Sequence, residues 1–258
     1  MTVRLKLTIQ YDGSAFYGWQ AQEGRQTVQG HLMTALQKIV QHEVKITGAG
    51  RTDRGVHAWG QVAHVEVEKR LALIRYMDGM NRFLPHSIRV VKVAEVEPEF
   101  HARFSATARH YIYQLWNGRV MRPDLLGHAG HVIGALDFEA MRAAVALMPL
   151  GFSDFSGFQD AECQSKVPQC NLLYLRLIQQ EGELWRLEIA ANHFLHHMVR
   201  NMMGTLVEIG MGKRPMTGLV DALEARNRVA AGMTFVADGL YLTQVDYAPH
   251  VELEVAGE

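Results

Sequence analysis

The feature that most constrains this chain is the succession of periodicities in its first hundred residues, where two-residue and 3.6-residue hydrophobic repeats follow one another. Thr2 to Tyr11 sets Val3, Leu5, Leu7 and Ile9 against Arg4, Lys6, Thr8 and Gln10, the alternation of a half-buried strand. From Val28 to Val40 the apolar residues Val28, Leu32, Ala35, Leu36, Ile39 and Val40 share one helical face, with Thr27 placed to cap the first turn. Strands are predicted over Val44 to Gly48 and Gln61 to Glu68, a helix over Leu71 to Phe83 ahead of Pro85, and a strand over Ile88 to Val96. The order β-α-β-β-α-β is that of a ferredoxin-like unit.

The second half repeats this order less cleanly. A strand is predicted over Ala106 to Trp116, a helix over Phe138 to Met148, and a hairpin of Leu172 to Gln179 with Trp185 to Ala191 around Glu181-Gly182-Glu183. A long helix over Leu195 to Ile209 and a closing strand over Leu240 to Tyr247 complete it. The expectation is an α+β fold of two ferredoxin-like, RRM-like halves that form a continuous, mostly antiparallel sheet with a central active-site cleft. The domains fall at 1–104, 105–250 and a tail at 251–258. No clear sequence repeat accompanies this duplication, which rests on element order alone.

Gly48-Ala49-Gly50-Arg51-Thr52-Asp53-Arg54-Gly55-Val56-His57-Ala58 places one carboxylate between two arginines in a glycine-rich loop. Glycines permit backbone geometry that presents Asp53 outward, and Arg51 and Arg54 favour its ionised form beside cations suited to phosphate. The residue types equally suit a turn with a surface Asp–Arg pair. A Walker A loop would need Lys-Ser/Thr, and a dinucleotide fingerprint would need a third glycine where Asp53 stands; neither is present, so no nucleotide cofactor is expected. His193, His196 and His197 invite a metal reading, but they lack the Glu of H-E-x-x-H, and no metal is expected. Cys163 and Cys170 are read as thiols of a reducing compartment, and no apolar run predicts a signal peptide or a membrane span.

The formal net charge of -1 hides an uneven distribution. Phe100 to Pro123, Cys163 to Gln180 and Ile189 to Val207 contain no acid and carry Arg103, Arg109, Arg119, Arg122, Lys166, Arg176 and Arg200. Such segments are either buried secondary structure or a basic surface for nucleic acid, with Trp19, Tyr111, Tyr113, Trp116 and Phe194 as aromatics able to stack on bases.

Six co-linear motifs resemble the bacterial tRNA pseudouridine synthase A family, which acts on the anticodon stem-loop. They are Tyr11-Asp12-Gly13 with Gly18-Trp19-Gln20, Gly48 to Asp53, Phe100-His101-Ala102-Arg103-Phe104-Ser105-Ala106, Arg109-His110-Tyr111-Ile112-Tyr113, His196-His197-Met198-Val199-Arg200-Asn201, and Gly239-Leu240-Tyr241-Leu242. The resemblance implies conversion of uridine to pseudouridine at tRNA nucleotides 38, 39 and 40, a homodimer, and a cytoplasmic enzyme without cofactor. It makes Asp53 the catalytic aspartate, Tyr111 the base-stacking tyrosine, Arg200 the basic partner of the aspartate, and Arg51 an arginine that holds the flipped-out nucleotide. Arg54, Arg103 and Arg109 are the further candidates for substrate contact. Two positions depart from the family pattern: Arg54 stands where a small residue is common, and Cys170 where an arginine is frequent. The alternatives are a non-catalytic RNA-binding protein, for which a carboxylate facing phosphates has no use, and a metal-dependent hydrolase built on the histidines.

Overall fold

The computed structural model describes residues 2–68, 71–160 and 167–249, so Cys163, Lys166 and the 251–258 tail lie outside the described residues. The fold is α+β, and its strands pair mostly antiparallel. Among the described residues two compact units are present, one of residues up to Thr107 together with residues 242–249, and one within Ala108–Tyr241.

In the first unit, strand β1 (Val3–Tyr11) buries every second residue, as its alternation requires. Helix α1 (Val28–Val40) starts where Thr27 Oγ1 accepts the Gly30 N–H at 3.3 Å. It stops at Gln41, which turns left-handed at φ 62° and returns its N–H to the Gln37 carbonyl. Strand β2 is only Thr47–Gly48, shorter than its apolar approach predicts, whereas β3 (His57–Val67) starts four residues before the expected Gln61. Helix α2 (Leu73–Phe83) and strand β4 (Ile88–Val96) follow. The strands run β4-β1-β3 with β2 on β3, all antiparallel. Register places Leu7 of β1 between Ala63 of β3 and Val93 of β4, which keeps the alternating apolar set on one buried face. Leu5, Leu7, Ile9, Leu32, Leu36 and Met80 are all at most 1% exposed, and burying each such side chain contributes about 1.5–3 kcal/mol.

In the second unit β5 (Ala106–Trp116) pairs in parallel with the two-residue β6 (Gly130–His131) and antiparallel with β9 (Leu184–Ala191). Helix α3 (Phe138–Leu147) is capped by Asp137, whose carboxylate accepts the Ala140 N–H at 2.9 Å, and Phe138 stacks on Trp185 at 3.7 Å. Strand β7 (Gly151–Asp154) pairs with β8 (Gln169–Gln179), which forms the expected hairpin with β9, giving the order β5-β9-β8-β7. Helix α4 (Met198–Gly210) begins three residues later than predicted, because His197 is left-handed at φ 60° and cannot continue a helix backward. His193 and His197 are therefore not one helical turn apart. Helix α5 (Gly218–Ala225) follows, and strand β10 (Leu240–Tyr247) lies mostly in the first unit. Among the described residues no helix is long and apolar enough to cross a membrane.

Candidate active site

The Asp53 loop is a braced turn. Gly55 takes the left-handed conformation at φ 81°, and the Val56 N–H closes the turn on the Asp53 carbonyl at 3.1 Å. From below, the Tyr11 hydroxyl and Thr52 Oγ1 share a buried hydrogen bond of 2.7 Å, and the Trp19 N–H donates to the Thr52 carbonyl at 3.0 Å. The Gln61 amide donates to the Gly50 carbonyl at 2.9 Å, and the Gly13 N–H donates to His57 Nδ1 at 3.1 Å.

Tyr11-Asp12-Gly13 and Gly18-Trp19-Gln20 acquire their meaning here. A Cβ on Gly13 would lie 2.0 Å from the Val56 carbonyl oxygen, and one on Gly18, which is also left-handed at φ 82°, 2.5 Å from that of Thr52. A Cβ on Gly48 would lie 2.6 Å from the Trp19 ring. These positions let two segments lie directly against the loop backbone. Sequence reading recognised the motifs but gave Thr52, Gln61 and His57 no part. The available signal was a polar residue at a core position, since all three are buried.

Asp53 is half-buried at the tip, while Arg51 and Arg54 are exposed. Arg51 Nε donates to Gln20 Oε1 at 3.1 Å, and the Arg54 guanidinium lies over the Tyr17 ring at 4.4 Å, with Arg25 at the same distance from that ring. The loop thus presents a carboxylate flanked by two guanidinium groups, each located by a neighbour outside the loop. Arg103 also belongs to this unit, exposed on the turn before β5.

The second unit holds Arg109, Tyr111 and Arg200. Arg109 and Tyr111 are two apart on β5 and so share a face. Arg109 is buried and donates to the Asn192 carbonyl at 2.7 Å. Tyr111 is 8% exposed and packs edge-on against Phe194 at 4.9 Å. Arg200, on the first turn of α4, donates from Nε to the Phe235 carbonyl at 2.8 Å, and the Phe235 N–H returns to the Arg200 carbonyl at 3.1 Å.

The segment that holds Arg200 is itself fastened to α4. Asn201 donates to the Phe158 carbonyl and accepts from Thr234 at 2.7 Å and Arg228 at 3.0 Å, while Thr205 Oγ1 accepts the Gly232 N–H at 2.8 Å. A Cβ on Gly204 would meet the Met233 carbonyl oxygen at 1.8 Å, so only glycine lets that segment pass.

Other expectations change. Trp19 in the first unit and Tyr113 in the second are at most 1% exposed, and Trp116 packs with Leu125 and Ala129 while its Nε1 donates to the Val120 carbonyl at 2.9 Å, so these three are core aromatics rather than stacking surfaces. The Tyr113 hydroxyl donates to the Val236 carbonyl at 2.8 Å, and burial pushes its pKa upward, which keeps it protonated. His197 Nδ1 lies 2.9 Å from Asp160 and stacks on His196, and His193 Nε2 lies 3.4 Å from the buried Cys170 sulfur. Cys170 thus occupies its departing position as a packed side chain facing a histidine.

A carboxylate on a rigid, cation-flanked turn suits nucleophilic or general-base chemistry next to phosphate. Comparison with known proteins gives this site its family. Residues 7–105 and 143–248 match the model described as tRNA pseudouridine synthase. The chain is 46% identical over 244 residues to the tRNA pseudouridine synthase A of Paraburkholderia xenovorans, covering 95% of this chain and 90% of that one. It is 46% identical over 245 residues to that of Neisseria meningitidis serogroup C, covering 95% and 92% of the two chains. For the Bradyrhizobium diazoefficiens protein of the same name the identity is 45% over 245 residues, covering 95% and 99%. With the matched segments holding both the Asp53 turn and Arg200, the chain belongs to the tRNA pseudouridine synthase family.

Proposed function

We propose that this protein is an isomerase that converts uridine to pseudouridine in tRNA, at positions 38, 39 and 40 of the anticodon stem and loop, with Asp53 as its catalytic carboxylate. The observation that carries the reading is the braced turn that offers Asp53 between two located arginines, in a chain of this family.

The reaction breaks the bond from N1 of uracil to C1′, turns the base, and joins C5 to C1′; the proton leaves C5 and N1 gains one. Atoms and electrons balance within the nucleotide, so the chemistry asks for no redox partner and no external group. It asks for a carboxylate that attacks C1′ or C6 or takes a sugar proton, for a surface that holds the detached base, and for a route for the C5 proton. Asp53 takes the first role. Tyr111 takes the second through its ring and assists the third through its hydroxyl. Arg200, fixed by its bond to Phe235, orients Asp53 as its cationic partner. Arg51 and Arg54 meet the phosphates of the extracted nucleotide, and Arg103 meets RNA farther along. Arg109 acts from within the fold by tying β5 to the turn at Asn192.

The enzyme acts as a cytoplasmic homodimer, in which a tRNA contacts both protomers. The reading of residues 1–104 as a unit carrying the aspartate and 105–250 as one carrying Tyr111 and Arg200 belongs to the same proposal. A non-catalytic RNA-binding role leaves the phosphate-facing carboxylate unexplained and has no support in the family. The test is incubation of the purified protein with unmodified tRNA followed by position-resolved mapping of pseudouridine. Conversion at 38, 39 and 40 is expected, and its absence there would overturn the reading.

A further inference from the structure

The turn from Phe100 to Ser105 is tied down at its base. The Arg4 guanidinium donates to the Phe100 carbonyl at 2.8 Å, the Tyr247 hydroxyl donates to the Ala102 carbonyl at 2.8 Å, and the Ala102 N–H donates to His64 Nδ1 at 3.1 Å. The Ser105 N–H donates to the His101 carbonyl and the His101 N–H to Ser105 Oγ, each at 2.9 Å. His101 Nδ1 accepts the N–H groups of Arg103 and Phe104, both at 3.2 Å. The backbone of this turn is therefore fastened by side chains from β1, β3 and β10 and by its own His101 and Ser105.

At that tip the turn displays what a folded protein ordinarily hides. Phe104 is 76% exposed, with its ring stacked on His101 at 4.3 Å and an interplanar angle of 29°. His101 in turn lies 4.6 Å from the buried His64 ring. The Arg103 guanidinium lies 5.7 Å from the centroid of the Phe104 ring and is itself exposed. No acid occurs between Phe100 and Pro123.

We propose that Phe104 and Arg103 form a nucleotide platform outside the Asp53 turn, on which an unpaired base of the tRNA stacks against the Phe104 ring while Arg103 meets its phosphate. The inference rests on the tRNA reading above. An exposed ring on a rigid, acid-free, cationic turn offers a π face without an ordering cost, the requirement for sequence-tolerant stacking of a single-stranded base.

The experiment measures tRNA dissociation constants at fixed salt, and kcat/KM for pseudouridine formation, for the full chain and its Phe104→Ala, Phe104→Leu, Phe104→Trp and Arg103→Ala variants. Melting temperature and oligomeric state are recorded for each. Phe104→Ala and Phe104→Leu should weaken tRNA binding at least about fivefold, while Phe104→Trp binds within about twofold of the parent. Arg103→Ala should reduce the slope of log affinity against log salt by about one. Tight binding by Phe104→Leu would overturn the platform, because a leucine keeps the apolar bulk and loses the π face. A loss of affinity accompanied by a changed oligomeric state would overturn it in favour of a contact between copies. If the parent makes pseudouridine and Phe104→Ala equals it in both measurements, only the platform falls. If the parent makes none while the Phe104 variants still lose tRNA affinity, the activity falls and the platform stands.

Discussion

A single carboxylate dominates at the residue scale, and the residues around it serve to hold it. Arg200→Ala should lower turnover severely, and Arg200→Lys should not restore it, because an ammonium cannot supply both the Nε–H that bonds the Phe235 carbonyl and the planar, multi-donor charge of a guanidinium. Side-by-side single-turnover rates check this; rescue by lysine would reduce Arg200 to a point charge. Tyr111→Phe keeps the ring and its packing on Phe194 but removes the hydroxyl, so tRNA affinity should persist while the rate falls by about a hundredfold or more. His64, which fastens the Phe100–Ser105 turn through the Ala102 N–H, offers a test by pH. Burial first, then the charges of His101 and Arg4, lower its pKa from 6.5 to about 4. The native state therefore holds it neutral with Nδ1 accepting from Ala102, and stability present above pH 6.5 is lost as pH falls toward 4. In His64→Asn, whose amide oxygen can accept the same N–H, melting temperature should fall less steeply over that interval. Equal slopes would remove His64 from the acid sensitivity. The individual residues were legible where a type carries a mechanism, as with Thr27 at the α1 cap. They were not legible where a role depends on long-range partners: nothing local says that Thr52 bonds Tyr11.

At the element scale the loops carry more than the helices do. Gly18→Ala forces a β-carbon into a left-handed position 2.5 Å from the Thr52 carbonyl oxygen, so it should cost at least about 1 kcal/mol of stability and reduce activity by more than its effect on tRNA binding. Denaturant unfolding and turnover measured together check this; an alanine variant with unchanged rate would show that the Asp53 turn tolerates displacement. Elements with sustained periodicity were readable from sequence: α1, β4, β5 and β10 have the bounds their patterns predict. Short or context-made elements were not. Strand β6 is two residues long and β7 four, too short for any repeat to register, and α5 opens on Gly218 without a side-chain cap. The late start of α4 is set by the left-handed His197, which no hydrophobic pattern encodes.

At the scale of the whole molecule, element order in the sequence was enough to give the β-α-β-β-α-β succession of the first hundred residues, whereas the second half adds β6, β7 and α5 to that plan and its closing strand β10 lies mostly in the first unit; the strands of each unit pair mostly antiparallel. Composition was the poorer guide. A formal net charge of -1 speaks against a polyanionic partner, yet Arg51, Arg54 and Arg103 are all exposed on one unit. Affinity for tRNA should therefore fall steeply with salt, with a log–log slope that reports several phosphate contacts; a flat response would contradict an electrostatic footprint. Turnover should survive treatment with EDTA, because the isomerisation needs no metal, and a loss restored only by added zinc would contradict that chemistry. If this chain isomerises tRNA uridine through Asp53, pseudouridine mapping and tRNA affinity measured in parallel for the parent and Asp53→Asn will separate. The asparagine variant should fold and bind tRNA as tightly or more tightly, since it removes a charge facing phosphate, while turnover drops at least about a thousandfold. Near-parental pseudouridine formation by Asp53→Asn would contradict that role for Asp53.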